Sequence, residues 1–212
     1  MILYIDEERA VVKGELTLVR TPELGNQVDD REEQLKQVET VMTGDGLEYK
    51  TVDDDIMVRI TGNVKIKQPD KTAEADYALF DGENQLYRLN GNVVIEGDSL
   101  DWLLDTTRKT QFEDQMVQDA IEMPFSLAGQ DVVFDANREQ LVVKGSVVFE
   151  QDDKSIQCGE LLMDDRIGKI ELKQDVSIKK GEDTLKTNHL VYDWVNEVYF
   201  IESGMRAEFQ IE

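Results

Sequence analysis

A two-part pattern recurs along this chain about every 29 residues, and it constrains the fold more than any single side chain. The first part is a small or medium apolar residue, any residue, then a large one: Leu47 and Tyr49, Ala78 and Phe80, Leu100 and Trp102, Val132 and Phe134, Leu161 and Met163, Leu190 and Tyr192, with Ile2 and Tyr4 as a first copy. From Tyr49 onward the large residues step by 31, 22, 32, 29 and 29 positions. The second part is Leu89-Asn90-Gly91-Asn92-Val93-Val94-Ile95 or a variant, as in Ile60 to Ile66 and Val143 to Phe149. A fourth copy, Leu172 to Ile178, has lost the glycine.

Within each copy the period is 2. Val58, Ile60, Gly62, Val64 and Ile66 share one face, while Arg59, Thr61, Asn63, Lys65 and Lys67 share the other. That is a strand with one wet side and a well-specified register. A glycine inside such a strand suits a bulge or tight bend, so Gly62, Gly91 and Gly145 are read as bend points. The links Asp81-Gly82-Glu83-Asn84, Asp135-Ala136-Asn137-Arg138 and Asp164-Asp165-Arg166-Ile167-Gly168 carry the residues that hairpin turns favour. Each unit is therefore a hairpin. Six or seven of them give about twelve to fourteen strands that must pair their apolar faces in a sandwich or roll.

At 212 residues with only three prolines and no Pro- or Ser-rich linker, the chain reads as one all-β domain spanning residues 1–212, with the clearest repeats in 43–207. An acidic insertion near residues 21–39 interrupts the array, and residues 29–38 within it could form a turn or two of helix. The formal net charge of −23 excludes nucleic acid as a partner and disfavours anionic membrane surfaces. No apolar run is long enough for a membrane span, and no basic-then-apolar leader is present.

Chemistry is sparse. One cysteine, Cys158, and one histidine, His189, form neither a zinc ligand set nor a nucleophile-base pair, so no catalytic residue, metal or cofactor is assigned. Cys158 reads as packing at a strand start, and His189 as a polar-side strand residue in the same slot as Ser99, Asp131 and Glu160. Clustered aspartates at Asp53 to Asp55 or at Asp164 and Asp165 lack the spaced oxygen cage of a calcium site. With 46 carboxylates a glycosidase-like pair is always available and means nothing without geometry.

The segments Ile60 to Ile66, Ala73 to Asp81, Leu89 to Ile95 and Ala128 to Phe149 resemble the OstA-like domain of the lipopolysaccharide-transport proteins LptA and LptC, also found as the amino-terminal part of LptD. The resemblance implies an antiparallel β-jellyroll, a V-shaped or slightly twisted roll of two sheets. It also implies a periplasmic bridge component with acyl chains held in an apolar interior. Its implied partners are lipopolysaccharide or a related glycolipid, the inner-membrane transporter complex, and further jellyroll modules or copies of itself joined by edge-strand pairing.

The interior lining expected on this basis is Val64, Ile66, Phe80, Leu89, Val93, Ile95, Phe134, Val143, Val147, Phe149, Met163, Leu172, Val176, Ile178 and Tyr192. Three features depart from the family pattern: the insertion from Thr21 to Glu39, the missing glycine near Asp114, and the absence of a Lys/Arg cluster for lipid phosphates. Pro124 suggests an edge strand or bulge, and a lateral opening is expected beside it. Whether the chain resembles LptA, with a cleaved leader, or LptC, with a tethering helix, stays open. The alternative is a structural β-repeat protein that self-assembles through its sheet edges without lipid.

Overall fold

The computed structural model describes residues 2–5, 9–20, 38–52, 55–100, 121–196, 198–201, 204 and 206–208. They form thirteen strands: β1 (Ile2–Ile5), β2 (Arg9–Arg20), β3 (Thr40–Val52), β4 (Asp55–Lys67), β5 (Lys71–Asp81), β6 (Leu86–Gly97), β7 (Phe125–Asp135), β8 (Gln140–Gln151), β9 (Lys154–Asp164), β10 (Lys169–Lys180), β11 (Asp183–Asp193), β12 (Val198–Ile201) and β13 (Arg206–Glu208). Each strand from β1 to β12 pairs antiparallel with the next, and β13 pairs with the other half of β11. The all-β antiparallel fold expected from the repeats is the one found, as a single meandering sheet.

Every long strand is bent at its middle. In each pairing from β2/β3 to β10/β11 the register shifts at the same level of the sheet. The cause lies in the even-numbered strands, where two successive residues take left-handed backbone: Gly62 and Asn63 (φ 73° and 47°), Gly91 and Asn92 (79° and 49°), Gly145 and Ser146 (80° and 53°). At Gly91 a side chain is excluded twice over, by its φ and by Asp76, whose Cβ would lie 2.8 Å from an added Cβ. In β2 a fifth bend occurs at Gly14, which the repeat pattern did not pick out. The fourth sequence copy keeps the conformation without glycine, at Gln174 (φ 65°) and Asp175 (φ 52°).

Because the bend inserts residues only in the even strands, their inward positions fall at 58, 60, 64 and 66, at 87, 89, 93 and 95, at 141, 143, 147 and 149, and at 170, 172, 176 and 178. Inward side chains of both halves belong to one apolar cluster running from Ile60 to Trp194. A flat single layer would leave such residues open to water. Ile60, Val64, Val93, Val143, Val147, Leu172 and Val176 are fully buried, so the sheet is folded over along the row of bends and each half covers the other.

One end of the strands carries four-residue turns that start with aspartate. Asp81, Asp135, Asp164 and Asp193 accept the backbone N–H three residues on, at 3.2, 3.0, 3.4 and 3.0 Å. Neighbouring turns are also joined: Ala136 N–H donates to Gln85 O, Asp165 N–H to Glu139 O and Trp194 N–H to Gly168 O, at 3.0, 3.0 and 2.9 Å. The repeated Asp thus closes the hairpin and aligns a stack of turns along one lip of the roll.

Three expectations need correction. Pro124 does not mark an edge strand: it immediately precedes β7, which pairs with both β6 and β8, so no ladder bond is lost. β6 pairs directly with β7, so the unit begun at Leu100 adds no strand between them; Trp102 and Asp114 lie outside the described residues. One folded sheet replaces the two sheets the resemblance implied. Of the insertion expected at 21–39, residues 21–37 lie outside the described residues. Among the described residues no helix is long and apolar enough to cross a membrane.

Candidate binding groove

Folding a half-wet sheet along its midline makes a groove whose apex is the row of bends and whose lips are the two sets of turns. All the expected lining residues face inward, but at two depths. Val64, Val93, Ile95, Phe134, Val143, Val147, Met163, Leu172 and Val176 are buried. Ile66, Leu89, Phe149, Ile178 and Tyr192 are half-buried and pack against the core. Phe80 is also half-buried, with its ring 4.9 Å from Tyr87.

The distinction is physical. A side chain with no accessible surface, such as Val143 at 0%, already has protein atoms on every side, and a ligand placed there would have to displace them. Half-buried apolar residues nearer the lips retain surface that an apolar ligand would cover. Several were missed from sequence: Met42, Leu47, Val58, Tyr87, Ile156, Ile170, Leu185 and Ile201. Extending the inward spacing by two positions from Leu89 and Leu172 reaches Tyr87 and Ile170, so the signal was available.

Aromatic rings follow the Asp-turn lip. Phe80, Tyr87 and Phe134 lie on adjacent strands with centroids 4.9 and 6.1 Å apart. Near the opposite lip Phe125 and Phe149 stack at 6.0 Å, and near the C-terminal edge Tyr192 and Tyr199 stack at 4.4 Å. Such pairs add about 0.5–1.5 kcal/mol beyond area burial.

Beside Pro124, where an opening was expected, lies a cavity of about 730 Å³ bounded by the turn at 68–70, the turn at 152–153 and the ring of Phe125. Its rim is polar: Lys67, Lys71 and Lys154 stand among Asp70, Glu96, Asp98, Glu150, Asp152 and Asp153. The outer face is a charged ladder across the strands. Arg88 grips Asp131 with two bonds of 2.8 and 2.9 Å, Lys144 lies 3.4 Å from Glu160, and Glu171 binds both Lys173 (2.8 Å) and His189 (2.7 Å). Exposed pairs of this kind contribute about 0–1 kcal/mol each, so their chief effect is to keep this face wet.

His189 is thus an outer-face residue bonded across β10 and β11. Cys158 is buried in the middle of β9, not at its start, and burial pushes its thiol up to about 11. Among the described residues no group of three or more His, Cys, Asp or Glu side chains is placed to hold a metal ion.

Fold and groove define an antiparallel β-roll with an apolar inside and a charged outside. No family model matches the chain, and no curated protein matches it. Among solved structures it is similar to LptH from Pseudomonas aeruginosa, described as the LptA homologous periplasmic component of the conserved lipopolysaccharide transport device. The identity is 15%, the TM-score 0.46, and the match covers 66% of this chain and 95% of that one.

Proposed function

We propose that this chain shields the acyl chains of lipopolysaccharide or a related glycolipid in its groove, as a periplasmic bridge component of LptA or LptC type. The observation that carries the reading is the stripe of half-buried apolar side chains lipward of the buried row at the bends, among them Ile66, Phe80, Tyr87, Ile178 and Tyr192. Each methylene they take from water contributes about 0.8 kcal/mol, so affinity needs no specific polar contact. The acidic, ion-paired exterior suits a head group left in water or neutralised by divalent ions. The motifs shared with the OstA-like domain support the same reading.

Partners in this reading join through edge strands. β1 and β12 end the pairing path among the described residues, and β12 exposes Val198, Tyr199 and Phe200, the last two at 62% and 57%. An apolar edge of this kind is suited to β-augmentation by another roll or a second copy. The same edge favours the second reading, self-assembly without lipid.

A photo-cross-linking residue at Phe80, with one at exposed Lys65 on the outer face as control, separates the two. Capture of lipopolysaccharide in cells at Phe80 and not at Lys65 is expected. Silence at both positions, with efficient labelling of other partners, would leave the self-assembling structural protein.

A further inference from the structure

We infer that the corner formed by the last two Asp turns and β12 docks on a zwitterionic lipid surface, with Ile167, Val195, Tyr199 and Phe200 entering its interface. This contact goes beyond the groove reading and needs no acyl chain in the groove. Eight large apolar side chains are exposed among the described residues, and five of them, Ile167, Val195, Val198, Tyr199 and Phe200, stand at this corner. They are neighbours. Cγ2 of Val195 occupies the space that a Cβ on Gly168, next to Ile167, would need, and β12 leaves the same turn with Val198 paired to Asp193.

The turn itself does not require apolar residues. Two and three positions after the turn aspartate stand Glu83 and Asn84 in the first turn and Asn137 and Arg138 in the second, yet all four turns close with the same aspartate-to-backbone bond. In the third turn Ile167 takes the later of these positions, and in the fourth Val195 takes the earlier, at 56% and 62% exposure. Apolar side chains held in water on turns that form without them mark a surface that something covers.

The shape and charge of the corner select lipid. A strand added to β12 would cover that edge, but Ile167 and Val195 sit on turns beyond the ladder. Tyr199 pairs with inward-facing Tyr192 and Phe200 with Val191 on the outer face, so rings project on both sides of β12, an arrangement suited to a fluid interface. Asp164, Asp165 and Asp193 are buried in the turns, while Arg166 and Lys169 keep accessible side chains that can meet lipid phosphates. Glu197, which ends the last turn, lies outside the described residues. The net charge of −23 makes a zwitterionic surface a better match than an anionic one. Because Tyr199 stacks on the groove residue Tyr192 at 4.4 Å, docking here sets the end of the groove against the lipid.

Co-sedimentation of the full chain with phosphatidylcholine vesicles tests the contact. Ile167→Asn and Val195→Asn give these positions the residue type that Asn84 and Asn137 carry there in the first two turns, so the fold should hold, as circular dichroism can check. The wild type should bind, and the double variant should bind about tenfold or more weakly. Phe200→Ser replaces it should the double variant lose the wild-type spectrum. Titration with dodecyl maltoside below its micelle concentration reads the groove instead, and its affinity should stay within about twofold in these variants. No vesicle binding by the wild type, or equal binding by wild type and variant, would overturn the docking and leave the groove reading untouched. So would a concentration-dependent dimer that the double variant abolishes, without vesicle binding, since a second copy would then cover the corner.

Discussion

Gln174 on β10 and Gly159 on β9 are a reversed copy of a pairing found at the other bends. At Gly62, Gly91 and Gly145 the bent strand carries glycine, and the preceding strand covers it with Asp45, Asp76 or Gln130. At the fourth bend the side chain is on the bent strand and the glycine on its neighbour: a Cβ added to Gly159 would lie 2.8 Å from Gln174 Cβ. Only one of the two positions has room for a side chain. Gln174 therefore keeps φ at 65° despite the cost of about 1–2 kcal/mol that left-handed backbone imposes on a non-glycine residue.

This exchange predicts strong coupling between the two positions. Gly159→Asp alone should destabilise by about 2 kcal/mol or more, since it places a side chain against Gln174. Gln174→Gly alone should change stability by under about 1 kcal/mol, because relief of strain offsets lost packing and added unfolded-state entropy. Together they rebuild the Asp76 and Gly91 arrangement, and stability should return to within about 1 kcal/mol of the parent. Urea denaturation of the four proteins measures the cycle; additive effects would refute the exchange.

The same bend marks what could be read in the sequence and what could not. The alternation from Val58 to Ile66 fixes strand, face and partner side, and Gly62, Gly91 and Gly145 were recognised as bends because glycine is the usual left-handed residue. Gln174 and Asp175 looked like a lost bend because the compensation, Gly159, sits on another strand and becomes adjacent only after pairing. Depth in the groove was illegible for a related reason. Val176 and Ile178 alternate alike, yet one is sealed at the apex and the other is half-buried nearer the lip, and only the fold line separates them. Pro124 misled because a proline just before a strand and one inside it look the same in a linear pattern.

Glu171 provides an acid-sensitive point on the outer face. The Lys173 ammonium at 2.8 Å holds its carboxyl below the usual range, His189 adds to the effect, and partial burial works against it. A depressed folded pKa gives stabilisation that is complete above the unfolded value of about 4.3 and is lost as pH falls through the lower folded value. Lys173→Met should raise the Glu171 midpoint in a carboxyl ¹³C NMR titration and flatten the stability-pH curve below about pH 4, with the difference shrinking in high salt. An unmoved midpoint would rule out Lys173 as its main partner.

Cys158 offers a reporter on the buried interior of the roll. A thiol buried in the core and raised to about 11 presents almost no thiolate at pH 8. Labelling by a disulfide reagent should be slower than for the urea-unfolded chain by a factor of about 100 or more, since reaction needs the strand to open. Fast labelling of the native chain would mean that β9 opens freely.

The two depths of the groove separate stability from binding, and one pair of substitutions on β10 tests that separation. Leu172 is sealed at the apex, so Leu172→Ala should cost about 2–5 kcal/mol in unfolding free energy from lost burial and the cavity left behind. Ile178 lies lipward and half-buried, so Ile178→Ala should cost less, about 1–2 kcal/mol, because its lost surface was partly wet in the folded protein. Binding should respond in the opposite order. Removing Ile178 takes away apolar surface that a dodecyl chain would cover, and affinity should fall by about fivefold or more, whereas Leu172→Ala should leave it within about twofold. Denaturation and dodecyl maltoside titration on the same two variants provide both readouts. Equal losses of affinity would mean that the ligand reaches the apex and that the packing around Leu172 opens to admit it.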